Sequence, residues 1–259
     1  MHLLLLCIYV HLSTQLPDLR VDADVVRKSL SHDSIANNDA CLIDEGCLVA
    51  THPNGSVVDD SAQRRHLVRF STRIWNLGDS NVHIGRAPMR EGTGPAPNGT
   101  VVDPWWEYAG CHGHYHIRDL ARHELFRADT DEQIELIGGM KTGFCMRDNL
   151  CIGGAVQHYT CDNQGITAGC ADHYGSHLPC QWIDFTDVPP GEYVLRITVN
   201  ADRLIPESNY TNNAVSVRFD SRLLPLFVAP TSPAVYGLAI GIALVLSIVF
   251  VLILYCYAL

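Results

Sequence analysis

The chain has 259 residues, of which 47 % are hydrophobic, and it carries a formal net charge of −10. This length accommodates one sizeable domain or two small ones. The negative charge argues against a nucleic-acid partner and is compatible with cationic substrates, although solubility alone also explains an acidic surface.

An apolar run from Leu3 to Val10 lies near the start of the chain and is typical of the core of a secretory signal peptide. We therefore predict a signal peptide over residues 1–15, although the basic residues that usually precede such a run are missing. A single domain is predicted over residues 16–220, because no repeat, low-complexity tract or long charge run divides that stretch.

Short segments with strand character dominate this domain, and one short helix is predicted before them, from Asp24 to Ser31. Residues Arg64 to Ile74 partly alternate between apolar and polar side chains, whereas Glu192 to Val199 and Ala214 to Phe219 alternate cleanly. Loops rich in glycine, aspartate and asparagine separate these segments. The pattern predicts a mainly β fold, a β-sandwich with long disulfide-tied loops.

The C-terminal part of the chain changes character. Prolines at 225, 230 and 233 predict a short extended stalk over residues 221–233. Residues 234–259 carry no charged side chain, and this stretch exceeds the ~20 residues that a helix needs to cross a bilayer. We predict a single transmembrane helix there, with the domain outside the cell. A signal for a GPI anchor is the alternative, because no basic residues follow the apolar run.

Ten cysteines are present, and eight of them lie between the two apolar ends. An even number of cysteines in an exported domain predicts disulfides, although the sequence alone does not pair them. Three N-glycosylation sequons agree with export, at Asn54, Asn98 and Asn209.

The densest group of metal-ligating residues is the stretch Cys111-His112-Gly113-His114-Tyr115-His116. On a strand, side chains spaced by two share one face, so the three histidines are predicted to converge on one metal ion. Imidazole suits copper, zinc, iron or nickel and does not choose among them. Surface histidines without a metal remain one alternative. A zinc hydrolase is another, with Glu107 or Glu124 as general base.

Longer motifs accompany this stretch in a fixed order: WEYAGCHGHYH (106–116), GMKTGFC (139–145), GCADHYG (169–175), CQWIDFTDVPPGEY (180–193) and PESNYTNN (206–213). Together they make the segment from Trp106 to Phe219 strongly resemble the catalytic domain of the lysyl oxidases. The resemblance covers nearly the whole predicted domain and is far more specific than the histidine spacing alone.

The resemblance implies a copper amine oxidase with Cu²⁺ held by three histidines, His112, His114 and His116. It also implies a self-derived cofactor, lysyl tyrosylquinone, built from Lys141 and Tyr174. The implied reaction consumes O₂ and converts peptidyl lysine, as in collagen or elastin, or small primary amines into aldehydes with release of H₂O₂ and ammonia. Three residues are candidates for the base that removes the substrate proton: His123, Asp148 and Asp172. A non-catalytic, metal-binding adhesion module at the cell surface, with the same fold, is the alternative function.

The family likeness further implies four disulfides: Cys41–Cys47, Cys111–Cys161, Cys145–Cys151 and Cys170–Cys180. In some family members it implies a calcium site made of oxygen ligands. The corresponding positions here are Asp18, the carbonyl of Leu19, Glu207, Asn209, Asn212 and Asn213. The family usually has aspartate where this chain has Asn209. Because Asn209 also begins a sequon, a glycan and a calcium ion would compete for it.

Overall fold

The computed structural model describes residues 15–36, 39–48, 64–86, 101–103, 105–110, 113–134, 143 and 145–229. The predicted signal peptide, apart from Gln15, and the predicted membrane helix over 234–259 lie outside these ranges. Within the ranges, no helix has both the length and the apolar character that a membrane crossing requires. Five of the predicted site residues also lie outside them: Asn54, Asn98, Cys111, His112 and Lys141.

The described part of the chain is mainly β, as predicted. It divides into two compact units, residues 1–226 and 227–259, and all helices and strands belong to the first. The first eight strands are Leu19–Val21 (β1), Ser31–Ala36 (β2), Arg64–Arg69 (β3), Thr72–Asn76 (β4), Val82–Gly85 (β5), Val101–Asp103 (β6), Trp106–Ala109 (β7) and His114–Ile117 (β8). The others are Ala121–Arg127 (β9), Gln133–Ile134 (β10), Leu150–Cys151 (β11), Gln164–Ile166 (β12), Cys170–Tyr174 (β13), Trp182–Asp184 (β14), Glu192–Val199 (β15) and Ala214–Asp220 (β16).

The described residues form three helices, all short: Ala23–Ser29 (α1), Ala40–Asp44 (α2) and the 3-10 helix Ser221–Leu223. The side chain of Asp22 caps α1 by accepting from the backbone N–H groups of Asp24 and Val25. The predicted helix over residues 24–31 is therefore confirmed, but it starts one residue earlier and ends at Ser29, because Ser31 already belongs to β2.

The predicted strands over residues 192–199 and 214–219 are confirmed as β15 and β16. The strand character predicted for Arg64 to Ile74 is confirmed, but the chain forms two strands there, β3 and β4, with a break at Phe70 and Ser71. The backbone N–H of Phe70 donates to the carbonyl of Gln181, and that of Ser71 donates to the Ser29 hydroxyl. These bonds hold the chain where it passes from the sheet of β3 to the sheet of β4. An alternating sequence pattern does not reveal such a change of sheet.

Two four-stranded antiparallel sheets, with orders β1-β4-β13-β11 and β10-β9-β15-β16, contribute to one hydrophobic core. Leu19 and Ile74 enter it from the first sheet, and Leu125, Leu195 and Val217 from the second. Smaller sheets surround them, with orders β12-β5, β14-β3-β2 and β6-β7-β8. The hairpin of β7 and β8 carries the histidine motif, and β13 carries Tyr174.

The disulfide pairs implied by the family likeness are wrong wherever the structure describes both cysteines. The observed pairs are Cys47–Cys180, Cys145–Cys161 and Cys151–Cys170. Cys151 and Cys170 lie directly opposite each other on β11 and β13, with Cα atoms 4.0 Å apart. Because Cys151 and Cys170 are bonded to each other, Cys151 cannot pair with Cys145, and Cys170 cannot pair with Cys180. Cys145 is bonded to Cys161 instead, and Cys180 to Cys47.

Candidate active site

The hairpin of β7 and β8 positions the two described histidines of the motif. Gly113 turns the chain with a φ of +70°, a conformation that residues with a Cβ rarely adopt. Two residues apart on β8, His114 and His116 project from the same face, and their Nε2 atoms are 3.0 Å apart. One metal ion can be reached by both nitrogens at the usual metal–nitrogen distance of about 2.0 Å. The same separation also suits a hydrogen bond between the two rings.

Sulfur atoms near these histidines do not change this picture. The sulfurs of Cys145 and Cys161 lie within 4.8 Å of a ring nitrogen of His114, a spacing that resembles a metal site. The two sulfurs are joined in a disulfide, however, and metal ligation by cysteine needs a thiolate. The described donor set is therefore imidazole nitrogen, which fits copper or zinc equally well.

A cavity of ≈ 400 Å³, here called the histidine–tyrosine cavity, opens beside the pair. Its described lining is His114, His116, Cys145, Arg147, Asn149, Cys161, Asp172, His173, Tyr174, Leu178, Pro179 and Gln181. Residues that are about sixty positions apart in the sequence thus meet here. The fold brings two histidines of the motif, one candidate base and the tyrosine of the DHYG motif to the wall of one cavity.

Tyr174 is the last residue of β13, and its hydroxyl donates a hydrogen bond to the carbonyl of Cys145. Burial, reinforced by the nearby Asp172 carboxyl, raises the pKa of this phenol well above its usual value. The hydroxyl is therefore protonated at neutral pH. The bond to Cys145 ties Tyr174 to the segment that follows Lys141, which itself lies outside the described residues.

Gly143 shows how closely this segment approaches the histidine strand. A Cβ on Gly143 would stand 3.3 Å from the carbonyl oxygen of Ile117 and 3.4 Å from the Cβ of His116. A side chain at this position would require its neighbours on β8 to shift by a few tenths of an ångström. The residues two and four positions after Lys141 therefore touch the histidine strand and Tyr174, respectively.

Asp172 is buried on the same face of β13 as Tyr174. One carboxylate oxygen, Oδ2, accepts from the backbone N–H of Arg147 at 3.2 Å, and the other has no hydrogen-bond partner among the described residues. Burial raises the pKa of Asp172 to about 8, and the Arg147 N–H, the Tyr174 hydroxyl and the Arg147 charge oppose this increase. A carboxyl with a pKa near the working pH is suited to proton transfer.

The second candidate base, Asp148, is buried but has a different environment. Its carboxylate accepts from the backbone N–H groups of His158, Tyr159 and Thr167, at 2.8, 3.1 and 2.9 Å, and from the Thr167 hydroxyl at 2.6 Å. It is not among the described residues that line the histidine–tyrosine cavity. With its oxygens engaged in this way, Asp148 stabilises the loop that carries His158, Tyr159 and Thr167.

The third candidate, His123, lies in the core on β9, opposite Ile197 and with its ring 5.3 Å from that of Phe70. Neither of its nitrogens has a partner among the described residues, and burial lowers its pKa to about 4. His123 is also absent from the described lining of the cavity. The structure thus offers no role for it as the base.

The two glutamates considered for a hydrolase lie on different strands. Glu107 is opposite His116 in the β7–β8 hairpin, but its carboxylate faces Arg118 at 4.0 Å. Glu124 is opposite Arg196 in the sheet of β9 and β15. Neither belongs to the described lining of the cavity, so the arrangement does not favour a hydrolase.

Most of the predicted calcium ligands meet at one place. The Glu207 carboxylate accepts from the Leu19 N–H at 2.6 Å and from the side-chain amide of Asn213 at 2.7 Å, while Asp18 accepts from the Asn212 amide at 2.9 Å. Burial raises the pKa of Glu207. The Oδ1 atoms of Asn212 and Asn213 are buried and lack partners among the described residues, so they are acceptors that a hard cation could use.

Asn209 does not join this group. Its side-chain oxygen accepts from the backbone N–H of Thr211 at 2.9 Å and from the Thr211 hydroxyl at 2.7 Å. These are the asparagine and threonine of the sequon. The side chain is therefore held by its own turn rather than by the carboxylates of Asp18 and Glu207.

Several lining residues were not singled out from the sequence, among them Arg147, Asn149 and Gln181. Gly143 belongs to the GMKTGFC motif, which gives no sign of its contact with the histidine strand. Arg147 lies directly beside Asp148 in the chain, yet its backbone binds Asp172, which is 25 positions away. No local pattern signals such a contact, since it depends on how β13 packs beside the segment that leads to β11.

Comparison with known proteins gives a consistent result. The lysyl oxidase family profile matches residues 17–224. Protein-lysine 6-oxidase from Homo sapiens is 36 % identical over 204 residues, covering 77 % of this chain and 44 % of that protein. The same-named protein from Sus scrofa is 35 % identical, with 77 % and 74 % covered. This chain thus spans less than half the length of the human relative.

Among solved structures, a CARDB domain from Pyrococcus furiosus is similar with a TM-score of 0.28 and 10 % identity, covering 79 % of this chain and 88 % of that one. A similarity of this size supports no inference about the fold or the function of this chain.

Proposed function

Because the chain belongs to the lysyl oxidase family, we propose that it is a copper- and quinone-dependent amine oxidase. Its substrates are peptidyl lysines in extracellular proteins of the collagen or elastin kind, or other primary amines, which it converts to aldehydes with consumption of O₂ and release of H₂O₂ and ammonia. One observation carries the proposal: His114, His116 and Tyr174 line the same cavity.

The donor set at this cavity fits copper, and membership of the lysyl oxidase family favours copper over zinc. His114 and His116 present their Nε2 atoms 3.0 Å apart, and His112 supplies the third imidazole of the motif. The quinone proposed to form from Lys141 and Tyr174 supplies an electrophilic carbonyl for the substrate amine and takes up its two electrons. The close approach at Gly143 and the bond from Tyr174 to Cys145 support this cross-link, because both contacts come from the segment that directly follows Lys141.

The chain's own groups account for the remaining tasks. Asp172 is the proposed base, accepting the proton from the carbon next to the substrate nitrogen. Its carboxylate form is the active one, and a pKa of about 8 keeps that form accessible near neutral pH. The Cys145–Cys161 disulfide fixes the residue whose carbonyl holds the Tyr174 hydroxyl, so it helps to preorganise the site.

An extracellular location follows from the same reasoning. Disulfides persist in oxidising compartments, and three are described in this domain. The uncharged run over residues 234–259 supports a single membrane anchor, with a GPI anchor as the alternative. Treatment of intact cells with a phosphatidylinositol-specific phospholipase separates these versions, since only a GPI-anchored protein is released.

The acidic cluster of Asp18 and Glu207 supports a structural calcium ion. Asn209 is better assigned to glycosylation than to calcium, because its side-chain oxygen is engaged by Thr211 of its own sequon. Enzymatic removal of N-glycans from wild type and from Thr211→Ala tests this assignment. The expected mass difference includes one glycan fewer in the variant, and identical glycan masses would contradict it.

The decisive experiment is mass spectrometry of the digested, purified holoprotein. The expected result is one cross-linked peptide that contains both Lys141 and Tyr174. The chain has two lysines, so Lys28→Arg is a matched control that keeps the cross-link, whereas Lys141→Arg loses it together with amine-dependent H₂O₂ release. Unmodified, separate Lys141 and Tyr174 peptides would overturn the oxidase proposal and favour a non-catalytic adhesion module.

A further inference from the structure

The histidine–tyrosine cavity contains a positive charge that the proposed reaction does not use. Arg147 lines the cavity, its side chain is exposed, and its guanidinium has no ion-pair partner among the described residues. Its backbone N–H donates to Asp172 at 3.2 Å, so the residue is anchored beside the proposed base. The charge is close enough to lower the pKa values of both Asp172 and Tyr174.

One carboxyl in the described lining, that of Asp172, faces this charge. Even as the carboxylate that the proposed reaction needs, Asp172 carries a single negative charge, and its Oδ2 is already bound by the backbone N–H of Arg147. Burial and the Arg73 charge lower the pKa of His173, which leaves that ring neutral. A copper ion held by His114 and His116 would add further positive charge. With copper bound, the cavity would therefore be cationic although the chain as a whole is acidic.

We propose that Arg147 is a specificity-determining residue that binds a carboxylate of the substrate, so that the enzyme prefers peptidyl lysines flanked by aspartate or glutamate over polyamines. This inference rests on the proposed function and names its substrate class. A guanidinium matches a carboxylate with two parallel hydrogen bonds. A polyamine carries a second ammonium group instead, which a cationic cavity repels. The acidic surface attracts polyamines at long range, but the cavity decides which amine reaches the reacting atoms.

The kinetic test uses two blocked peptides that each contain one lysine and differ only in a glutamate or a glutamine beside it. For the wild type, kcat/KM should be about tenfold higher with the glutamate peptide, at the low end of hydrogen bonds to charged groups because Arg147 is exposed. The ratio should fall to about one in Arg147→Gln, be partly kept in Arg147→Lys, and invert in Arg147→Glu, which should also gain activity on spermidine. Arg218→Gln is the matched control, since Arg218 is exposed and pairs with Glu192 on a sheet outside the cavity.

The carboxylate can come from a side chain or from a chain end, and a second peptide pair distinguishes the two. Peptides ending in lysine with a free carboxylate or with an amide should differ less than the glutamate and glutamine peptides if the flanking side chain is what Arg147 binds. A larger difference in this second pair would overturn the assignment to flanking acidic residues.

A binding measurement separates this inference from the proposed function. A fluorescent glutamate peptide with norleucine in place of lysine cannot be oxidised, and its binding should weaken about tenfold in Arg147→Gln. Arg147-dependent binding by a protein that oxidises no amine would refute the oxidase and keep the recognition site. Full oxidase activity with ratios and binding that are unchanged in Arg147→Gln would refute the recognition site and keep the oxidase.

Discussion

Asp148 and Asp172 are both buried aspartates, yet their surroundings differ. Asp148 is 3 % exposed and accepts four hydrogen bonds, three of them from backbone N–H groups. Asp172 is 1 % exposed, accepts from the backbone N–H of Arg147 and keeps one oxygen without a partner among the described residues. Burial is nearly equal, so the supply of hydrogen-bond donors is what distinguishes the two carboxyls, and it favours Asp172 as the proposed base.

The largest expected effect is on activity, in Asp172→Asn. Removal of a general base typically lowers the rate by about 10²–10⁴-fold, so amine-dependent H₂O₂ release should fall by at least about two orders of magnitude. Stability should not fall. The folded-state pKa of about 8 lies above the unfolded value of 3.8, so the free energy of unfolding falls as pH rises between these values. Asparagine does not ionise, so the variant should not show this fall. Thermal unfolding at pH 7 is the second measurement. A variant that keeps a tenth of the activity would remove Asp172 from the mechanism.

The pH dependence of kcat/KM should reveal the same carboxyl. Because the carboxylate form accepts the proton, activity should rise roughly tenfold per pH unit below 8 and level off above it. The rising limb should be missing from the residual activity of Asp172→Asn. Glu207→Gln is the control, since Glu207 is another carboxyl whose pKa is raised by burial but which lies outside the cavity lining that is described. If the rise of kcat/KM with pH were altered in Glu207→Gln but not in Asp172→Asn, the assignment would be reversed.

Asp148→Asn should act chiefly on stability. An amide cannot accept all four hydrogen bonds, and its NH₂ group faces backbone donors. The expected loss is about 2–4 kcal/mol in the free energy of unfolding, because bonds to a buried charged group are lost and donors are left unsatisfied. Chemical denaturation measures this loss. The folded fraction should keep the pH limb of the wild type. If unfolding were unchanged while activity disappeared, Asp148 rather than Asp172 would be the reactive group.

The sequence reveals the strand content and the two alternating strands of the second sheet, because a half-buried strand imposes a period of two on its residues. It also places His114 and His116 on one face, for the same reason. It does not reveal the break at Phe70 and Ser71 or the disulfide pairs. Both depend on bonds between distant segments, such as the register that sets Cys151 opposite Cys170.

The distinction between the two aspartates is hidden for the same reason. In the sequence, Asp148 follows the Cys145 motif and Asp172 precedes Tyr174, and both are equally plausible bases. The donors that saturate Asp148 come from residues 158, 159 and 167, and their positions follow from the path of the loop before β13. The number of hydrogen-bond donors around a carboxylate depends on the folded chain, whereas the residue types near a motif are visible in the sequence.

The smallest expected effect comes from removing one donor from Asp148 while its charge remains. Thr167 is buried, and its hydroxyl and backbone N–H both reach the carboxylate. Thr167→Val keeps the shape and the N–H but deletes the hydroxyl, so we expect a loss of about 1–2 kcal/mol, less than for Asp148→Asn. Thr167→Ser restores the donor and should recover most of the loss, apart from its missing methyl group. Denaturation of the three proteins tests this order. Since no hydrogen bond between described residues joins Thr167 to Asp172, the rise of activity with pH should be unchanged in both variants. A shift of that rise in Thr167→Val would mean that the two aspartates are coupled through the segment between them.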